Sequence, residues 1–332
     1  MEVEEEEEEP CYILNIPNEL QLMIFDKMEP ADKISFGKTS RKCRAIWKES
    51  KSLFDGIAWN YNKFEESILL SFNDSYPFEG NRQSVECHEN RIVFGEKDTY
   101  FSQRNNFKRG LEFAKWKFVK TLEKYQNTVK SITIDGECSA NLRNITSFPS
   151  LRYLILRDCP NIVREVLSKS VNALEYLEID EWNNNYADCP EIYRVSEYLS
   201  IFFELTREQF HRLSAKRIEM EIGDLKAEDI FEFIKSWQNG RRNLESCKWA
   251  LGYLDAPKFF GFFNTQVINR YKRITIRGPG ETLAQIVFRK KTILIFEVLD
   301  DLEIIDADGA EGSDTNVDYR EYSYDTEDDF DD

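Results

Sequence analysis

The chain is 332 residues long, 41% apolar and 14% aromatic, enough to fill a sizeable core, and no apolar run approaches the roughly 20 residues that span a bilayer. Its formal charge of −17 sits at the ends: seven acids occupy Glu2 and Glu4–Glu9, and fifteen acids against one base, Arg320, occupy Asp300–Asp332. Residues 10–299 hold 43 basic against 39 acidic side chains, a nearly neutral body without the cationic footprint of a nucleic-acid-binding domain, so neither nucleic acid nor membrane is expected as a partner.

Residues 1–10 form a like-charge block that is expected to be disordered. With poly-Glu in place of a cationic region and apolar stretch, no secretory signal is expected, which places the protein in the cytoplasm or nucleus. The seven cysteines, at 11, 43, 87, 138, 159, 189 and 247, form no CxxC pair, and an odd, scattered set fits buried thiols in a reducing compartment.

Residues 11–50 predict three short helices. Pro17 suits the first turn of a helix, where its missing N–H costs nothing, and Glu19 lies at the positive end of the helix dipole. The helix is expected over about Pro17–Met28, with Leu20, Met23, Ile24 and Lys27 on one stripe and Leu22, Phe25 and Met28 on another. Pro30 opens a second helix holding Ile34 and Phe36, Gly37 breaks it, and Lys38–Lys48 forms a third with Cys43, Ile46 and Trp47. So small a unit lacks the volume to bury all these side chains, and the surplus apolar surface must meet another protein or domain.

The succession Ile16-Pro17, Glu19-Leu20, Ile24, Met28, Pro30, Asp32, Ile34 and Ser40-Arg41-Lys42-Cys43-Arg44 before Trp47 resembles an F-box. Ile16 stands where Leu is usual, and Thr39 where an aliphatic is common. The resemblance implies docking on a Skp-family adaptor and entry into a cullin-based ubiquitin ligase. Its adaptor-binding residues would be Ile16, Pro17, Leu20, Ile24, Phe25, Met28, Ile34 and Trp47.

Residues 51–299 predict a repeat-like domain. Ile68–Phe72 and Arg91–Phe94 read as short strands among turn residues, and Phe107–Tyr125 as a helix carrying Leu111, Ala114, Lys115, Phe118, Leu122 and Tyr125 at helical spacing. An apolar-x-x-apolar-x-apolar pattern then recurs as Val129/Ile132/Ile134, Leu151/Leu154/Leu156, Leu174/Leu177/Ile179, Ala215/Ile218/Met220, Leu244/Cys247/Trp249 and Tyr271/Ile274/Ile276. Successive copies start 22, 23, 41, 29 and 27 residues apart, and the first steps match the period of roughly 20 to 29 residues of leucine-rich repeats. The long step suggests an insertion over Trp182–Asp188. Helices are expected between copies, over Val163–Lys169, Tyr193–Phe203, Ala227–Trp237 and Phe259–Asn269, so the strands should run parallel with right-handed crossovers. Leu283–Phe288 and Ile293–Val298 alternate as a hairpin suited to capping the last open edge.

The expected fold class is α/β: a small all-α F-box, then an irregular leucine-rich-repeat-like solenoid of parallel strands and helices, closed by a β-hairpin. Residues 300–332 are expected to be a disordered acidic tail. The run Leu225-Lys226-Ala227-Glu228-Asp229-Ile230-Phe231-Glu232-Phe233-Ile234-Lys235-Ser236-Trp237-Gln238-Asn239-Gly240, followed by the hairpin, resembles the F-box-associated region of the large nematode F-box families.

If each apolar triplet faces the core, the alternate residues form columns on the other face. These columns are Ser131, Tyr153, Tyr176, Arg217, Ser246 and Arg273; Thr133, Ile155, Glu178, Glu219, Lys248 and Thr275; and Asp135, Arg157, Asp180, Glu221, Ala250 and Arg277. Tyr153, Ile155 and Tyr176 beside Glu178, Asp180, Glu219 and Glu221 make a candidate binding face for an unknown protein target carrying basic and apolar groups. No enzyme is expected. His88 and His211 stand in no catalytic or metal-binding signature, adjacent Cys87 and His88 point apart in a strand, and Gly278-Pro279-Gly280 lacks the Lys-Ser/Thr of a phosphate loop. Hence no cofactor, metal or catalytic residue is assigned. A repeat scaffold that binds a partner outside any ligase remains the alternative.

Overall fold

Runs rich in Ile, Leu, Val and aromatic residues favour extended pairing, and they join into one 14-stranded mixed sheet. The computed structural model describes residues 17, 20, 21, 24, 56–73, 83–87, 91–94, 97–100, 110–181, 186–251, 256–263, 272–289 and 293–299. The expected tails and the helices expected over 30–48 lie outside these residues. The chain divides into a unit of Met1–Val298 and a second of Leu299–Asp332.

The first five strands, β1 (Gly56–Asn62), β2 (Ser67–Asn73), β3 (Gln83–Cys87), β4 (Arg91–Phe94) and β5 (Lys97–Tyr100), pair antiparallel in sequence order. Helix α1 (Gly110–Tyr125) follows, and then β6 (Ser131–Asp135), β7 (Tyr153–Arg157), α2 (Val163–Lys169), β8 (Tyr176–Asp180) and β9 (Tyr198–Ile201). The rest is α3 (Arg207–Phe210), β10 (Arg217–Ile222), α4 (Ala227–Gln238), β11 (Ser246–Leu251), α5 (Ala256–Gly261), β12 (Lys272–Arg277), β13 (Leu283–Arg289) and β14 (Ile293–Leu299). The strand order is β12-β13-β14-β11-β10-β9-β8-β7-β6-β1-β2-β3-β4-β5.

The centre of the sheet is parallel: β1 pairs with β6, and β6 to β11 pair in succession. Ser131, Tyr153, Tyr176, Tyr198, Arg217 and Ser246 share one register row, in steps of 22, 23, 22, 19 and 29 residues. Three expectations change here. The long step is not simply an insertion, because it contains an extra strand, β9, where a helix over Tyr193–Phe203 is expected; only a short 3-10 turn, Pro190–Arg194, precedes it. The last triplet leaves the parallel series, since Ile274 and Ile276 lie on β12, at the sheet edge and antiparallel to β13. Thirdly, the expected hairpin does border the parallel series, with β14 antiparallel along β11, but the other side of the series continues in the same sheet into antiparallel strands, β2 pairing beyond β1.

One face of the sheet is the core. Ile57, Trp59, Ile132, Ile134, Leu154, Leu156, Leu177, Ile179, Leu199, Ile201, Ile218, Met220, Cys247, Trp249, Leu294 and Phe296 are all buried in one cluster with Phe118, Val166, Leu167, Phe210, Phe233 and Trp237 from the helices. The period of two on the strands and of 3.6 on the helices brings these side chains face to face. Trp59 meets Phe118 at 5.3 Å, Phe233 meets Trp249 at 6.2 Å, and Trp237 meets Phe296 edge-on at 5.0 Å.

Local signals fix the helix starts. Thr206 caps α3 reciprocally: its hydroxyl accepts from Gln209 N (3.3 Å) while Thr206 N donates to Gln209 Oε1 (2.9 Å). At α4, Lys226 N donates to the Asp229 carboxylate at 2.9 Å. Gly278 has no room for a side chain, because a Cβ there would lie 2.4 Å from the Trp237 ring, so the 278–282 turn seats directly on α4.

Candidate functional site

The sequence points to two places. At the first, Pro17 is exposed and its carbonyl accepts from Leu20 N and Gln21 N, each at 3.0 Å, the opening turn expected of a proline-initiated helix. Leu20 and Ile24, one turn apart, are 47% and 40% exposed, while Gln21 is buried. Apolar side chains four residues apart share a helix face, so this turn offers hydrophobic surface outward. Ile16, Phe25, Met28, Ile34 and Trp47 lie outside the described residues.

At the second, the parallel register carries the predicted columns across from β6 to β11. Tyr153 stands beside Tyr176, Ile155 beside Glu178, and Arg157 beside Asp180. Glu219 and Glu221 are not their neighbours. Strand β9 intervenes and places Ser200 between Glu178 and Glu219, so the expected four-acid cluster is split. Ile155 is buried rather than displayed, flanked by Thr133 and Glu178 in register and by Tyr153 and Arg157 on its own strand. Arg273, Thr275 and Arg277 belong to β12 and leave the columns altogether.

Tyr198 is the residue that the sequence reading missed. Its ring stacks on Tyr176 with centroids 4.5 Å apart and planes 16° apart. Its signal was a tyrosine heading each of three strands, Tyr153, Tyr176 and Tyr198, which share one row. Burial pushes the Tyr198 phenol well above its usual range, and the Glu219 carboxylate adds to the shift.

The acids are largely neutralised by their neighbours. Arg157 Nε donates to Glu178 Oε1 at 2.5 Å, and its Nη1 lies 3.8 Å from Asp135. The Tyr176 hydroxyl donates to the other Glu178 oxygen at 3.0 Å. Tyr153 donates to Glu175 at 2.7 Å, a hydrogen bond that raises the Tyr153 pKa ahead of burial. Glu219 pairs with Lys248 at 3.5 Å, and one residue ahead of the strands Arg152–Glu175 (3.1 Å) and Lys216–Glu197 (2.9 Å) tie successive strands together. Asp135 has its pKa raised, by burial first, with Arg157 opposing. What this face offers a ligand is therefore a row of three tyrosines set among paired charges, with Asp180 and Glu221 half-buried at its end.

Among the described residues no group of three or more His, Cys, Asp and Glu side chains is placed to hold a metal ion, and no helix is long and apolar enough to cross a membrane. Cys87 is buried, and His88 lies outside the described residues. His211 closes α3 with its Nε2 3.9 Å from Glu232. Burial, and then the Arg242 charge, hold its pKa below the ordinary value of 6.5.

A comparison with protein families matches residues 13–55 to the F-box domain. The match begins just before the exposed turn at Pro17 and ends one residue before β1. It supports a ubiquitin-ligase adaptor role in general terms. No curated protein and no solved structure matches the chain.

Proposed function

We propose that this protein is a substrate-recognition subunit of a cullin-based ubiquitin ligase. The F-box segment docks on a Skp-family adaptor, and the tyrosine-bearing face of β7–β10 holds a protein target. The observation that carries the first half is the outward exposure of Leu20 and Ile24 within the segment matching the F-box domain. In a docking interface a few such apolar side chains supply most of the energy.

The recurrence of parallel strands in steps of 19 to 29 residues supports reading the middle of the chain as an irregular leucine-rich-repeat-like stack, of the kind joined to F-boxes in nematode families. Because Asp135, Glu178 and Glu219 of this face already have basic partners, tyrosine contact dominates recognition and charge sets orientation. The favoured target is a segment with aromatic or aliphatic groups beside basic ones. The protein itself performs no bond chemistry. It raises the local concentration of a target lysine near a ubiquitin-conjugating enzyme held elsewhere in the assembly.

The test is affinity purification of the full chain with and without proteasome inhibition, repeated with a Tyr153→Ala, Tyr176→Ala, Glu178→Lys variant. The variant should keep adaptor and cullin and lose the captured target. An unchanged target set would move recognition off this face, and absence of adaptor and cullin from the wild-type purification would leave a scaffold outside any ligase.

A further inference from the structure

Between the turns that enter β10 and β11 and the last turn of α4 lies a cavity of about 440 Å³. It is lined by Leu213, Ser214, Ser236, Arg241, Arg242 and Asn243, with Ala215 and Leu244 completing the wall. Two of these side chains are guanidiniums and none is a carboxylate. The lining therefore carries net positive charge within a body that is close to neutral.

The neighbouring cations show what is ordinary here. Arg207 pairs with Asp229 at 3.0 Å, Lys216 with Glu197 at 2.9 Å, and Arg217 with Glu245 at 3.8 Å. Among the described residues neither Arg241 nor Arg242 has such a partner. Arg242 is held firmly nonetheless: Nη1 donates to Leu213 O, Nη2 donates to His211 O, and the guanidinium lies 3.9 Å over the Phe233 ring. Its Nε is buried without an acceptor. Capping of the two carbonyls explains why an arginine is fixed there. It does not explain the open cavity or the second guanidinium.

The other lining groups narrow the chemistry. Ser214 already donates to Tyr193 O (2.8 Å) and Ser236 to Phe233 O (2.6 Å), so the free donors are the Arg241 guanidinium, the Nη hydrogens of Arg242 not spent on the two carbonyls, and the Asn243 amide. A positive, donor-rich site without an acid rejects cations, and a planar guanidinium matches the spacing of two oxygens on one acid group. We propose that this cavity binds a small-molecule oxyanion, the phosphate or carboxylate of a compact ligand, with Arg241 and Arg242 as its counter-charges. The volume fits a ligand larger than a bare ion, within the roughly 300 to 1,000 Å³ typical of small-molecule sites.

Calorimetric titration of the full chain with inorganic phosphate, and separately with acetate, at ionic strength matched by chloride tests this. Arg242 also holds two backbone carbonyls, so its replacement endangers the fold, and the exposed Arg241 carries the test. Saturable binding of one anion per chain is expected, weakened about tenfold or more by Arg241→Gln and unchanged by Lys248→Gln on the tyrosine face. Preference for phosphate assigns a phosphorylated ligand, and equal binding of acetate assigns a carboxylate. Absence of saturable binding to both anions, or equal affinity in wild type and Arg241→Gln, overturns the proposal.

Discussion

Gly136 shows how tightly single residues are constrained at the ends of the parallel strands. It follows β6 with φ +84°, and a Cβ there would sit 2.7 Å from Tyr61 O and 2.9 Å from Tyr61 Cβ. Gly136→Ala should therefore cost about 1–3 kcal/mol, read from urea unfolding, through backbone strain and displacement of β1. Gly280, with φ +64° but nothing within 4 Å of a built Cβ, supplies the comparison, and Gly280→Ala should cost no more than about 1–2 kcal/mol. Equal losses at both positions would show that contact with Tyr61 contributes nothing. His211 makes a second prediction at this scale. Its folded pKa is lowered from 6.5, so the unfolded chain binds the proton more readily. Its contribution is intact above pH 6.5 and is lost as pH falls through the window between 6.5 and the lower folded value. His211→Asn should flatten the fall in unfolding midpoint between pH 7 and 5, and an unchanged slope would assign that fall to the carboxylates.

Among the elements, the ones the sequence revealed are those with strong periodicity. The apolar stripe over Ala227–Trp237 became α4 with one residue added, and Val163–Lys169 and Arg91–Phe94 were found at their observed bounds. Strand β9 was hidden because its triplet reads Ser196/Leu199/Ile201: the first position is an exposed serine, and the pattern lost its leading apolar residue. Strand β1 was hidden by distance. Ile57 and Trp59 align with Ile132 and Ile134, yet an antiparallel excursion and α1 separate them in sequence, so no fixed period could reveal the match. Tyr271/Ile274/Ile276 fitted the pattern without joining the ladder, since alternation alone does not say which edge a strand takes. The site inherits these limits. The shared placement of Tyr153 and Tyr176 in one row, with Glu178 two residues on, was legible from spacing, whereas the place of Tyr198 and the split of the acids follow from β9. The hairpin predicted from Leu283–Phe288 and Ile293–Val298 lies against β11 and adds Leu294 and Phe296 to the core. Phe296→Ala should thus lose about 3–5 kcal/mol in denaturant titration, having removed a fully buried ring and its edge contact with Trp237. A loss below about 1 kcal/mol would mean that the hairpin is not integral to the sheet.

For the whole molecule, the proposed function divides between the short segment that matches the F-box domain and the long sheet that follows it. The two make separable demands: the proposed docking uses the exposed apolar side chains of Leu20 and Ile24, and folding uses the burial of the sheet's apolar face. A charge placed on the first should leave the second intact. The most direct measurement is adaptor binding by a Leu20→Asp, Ile24→Asp variant, set beside its circular dichroism and thermal unfolding. The account predicts loss of the Skp-family adaptor with an unfolding transition within a few degrees of wild type. Retained adaptor binding by a folded double variant would contradict it.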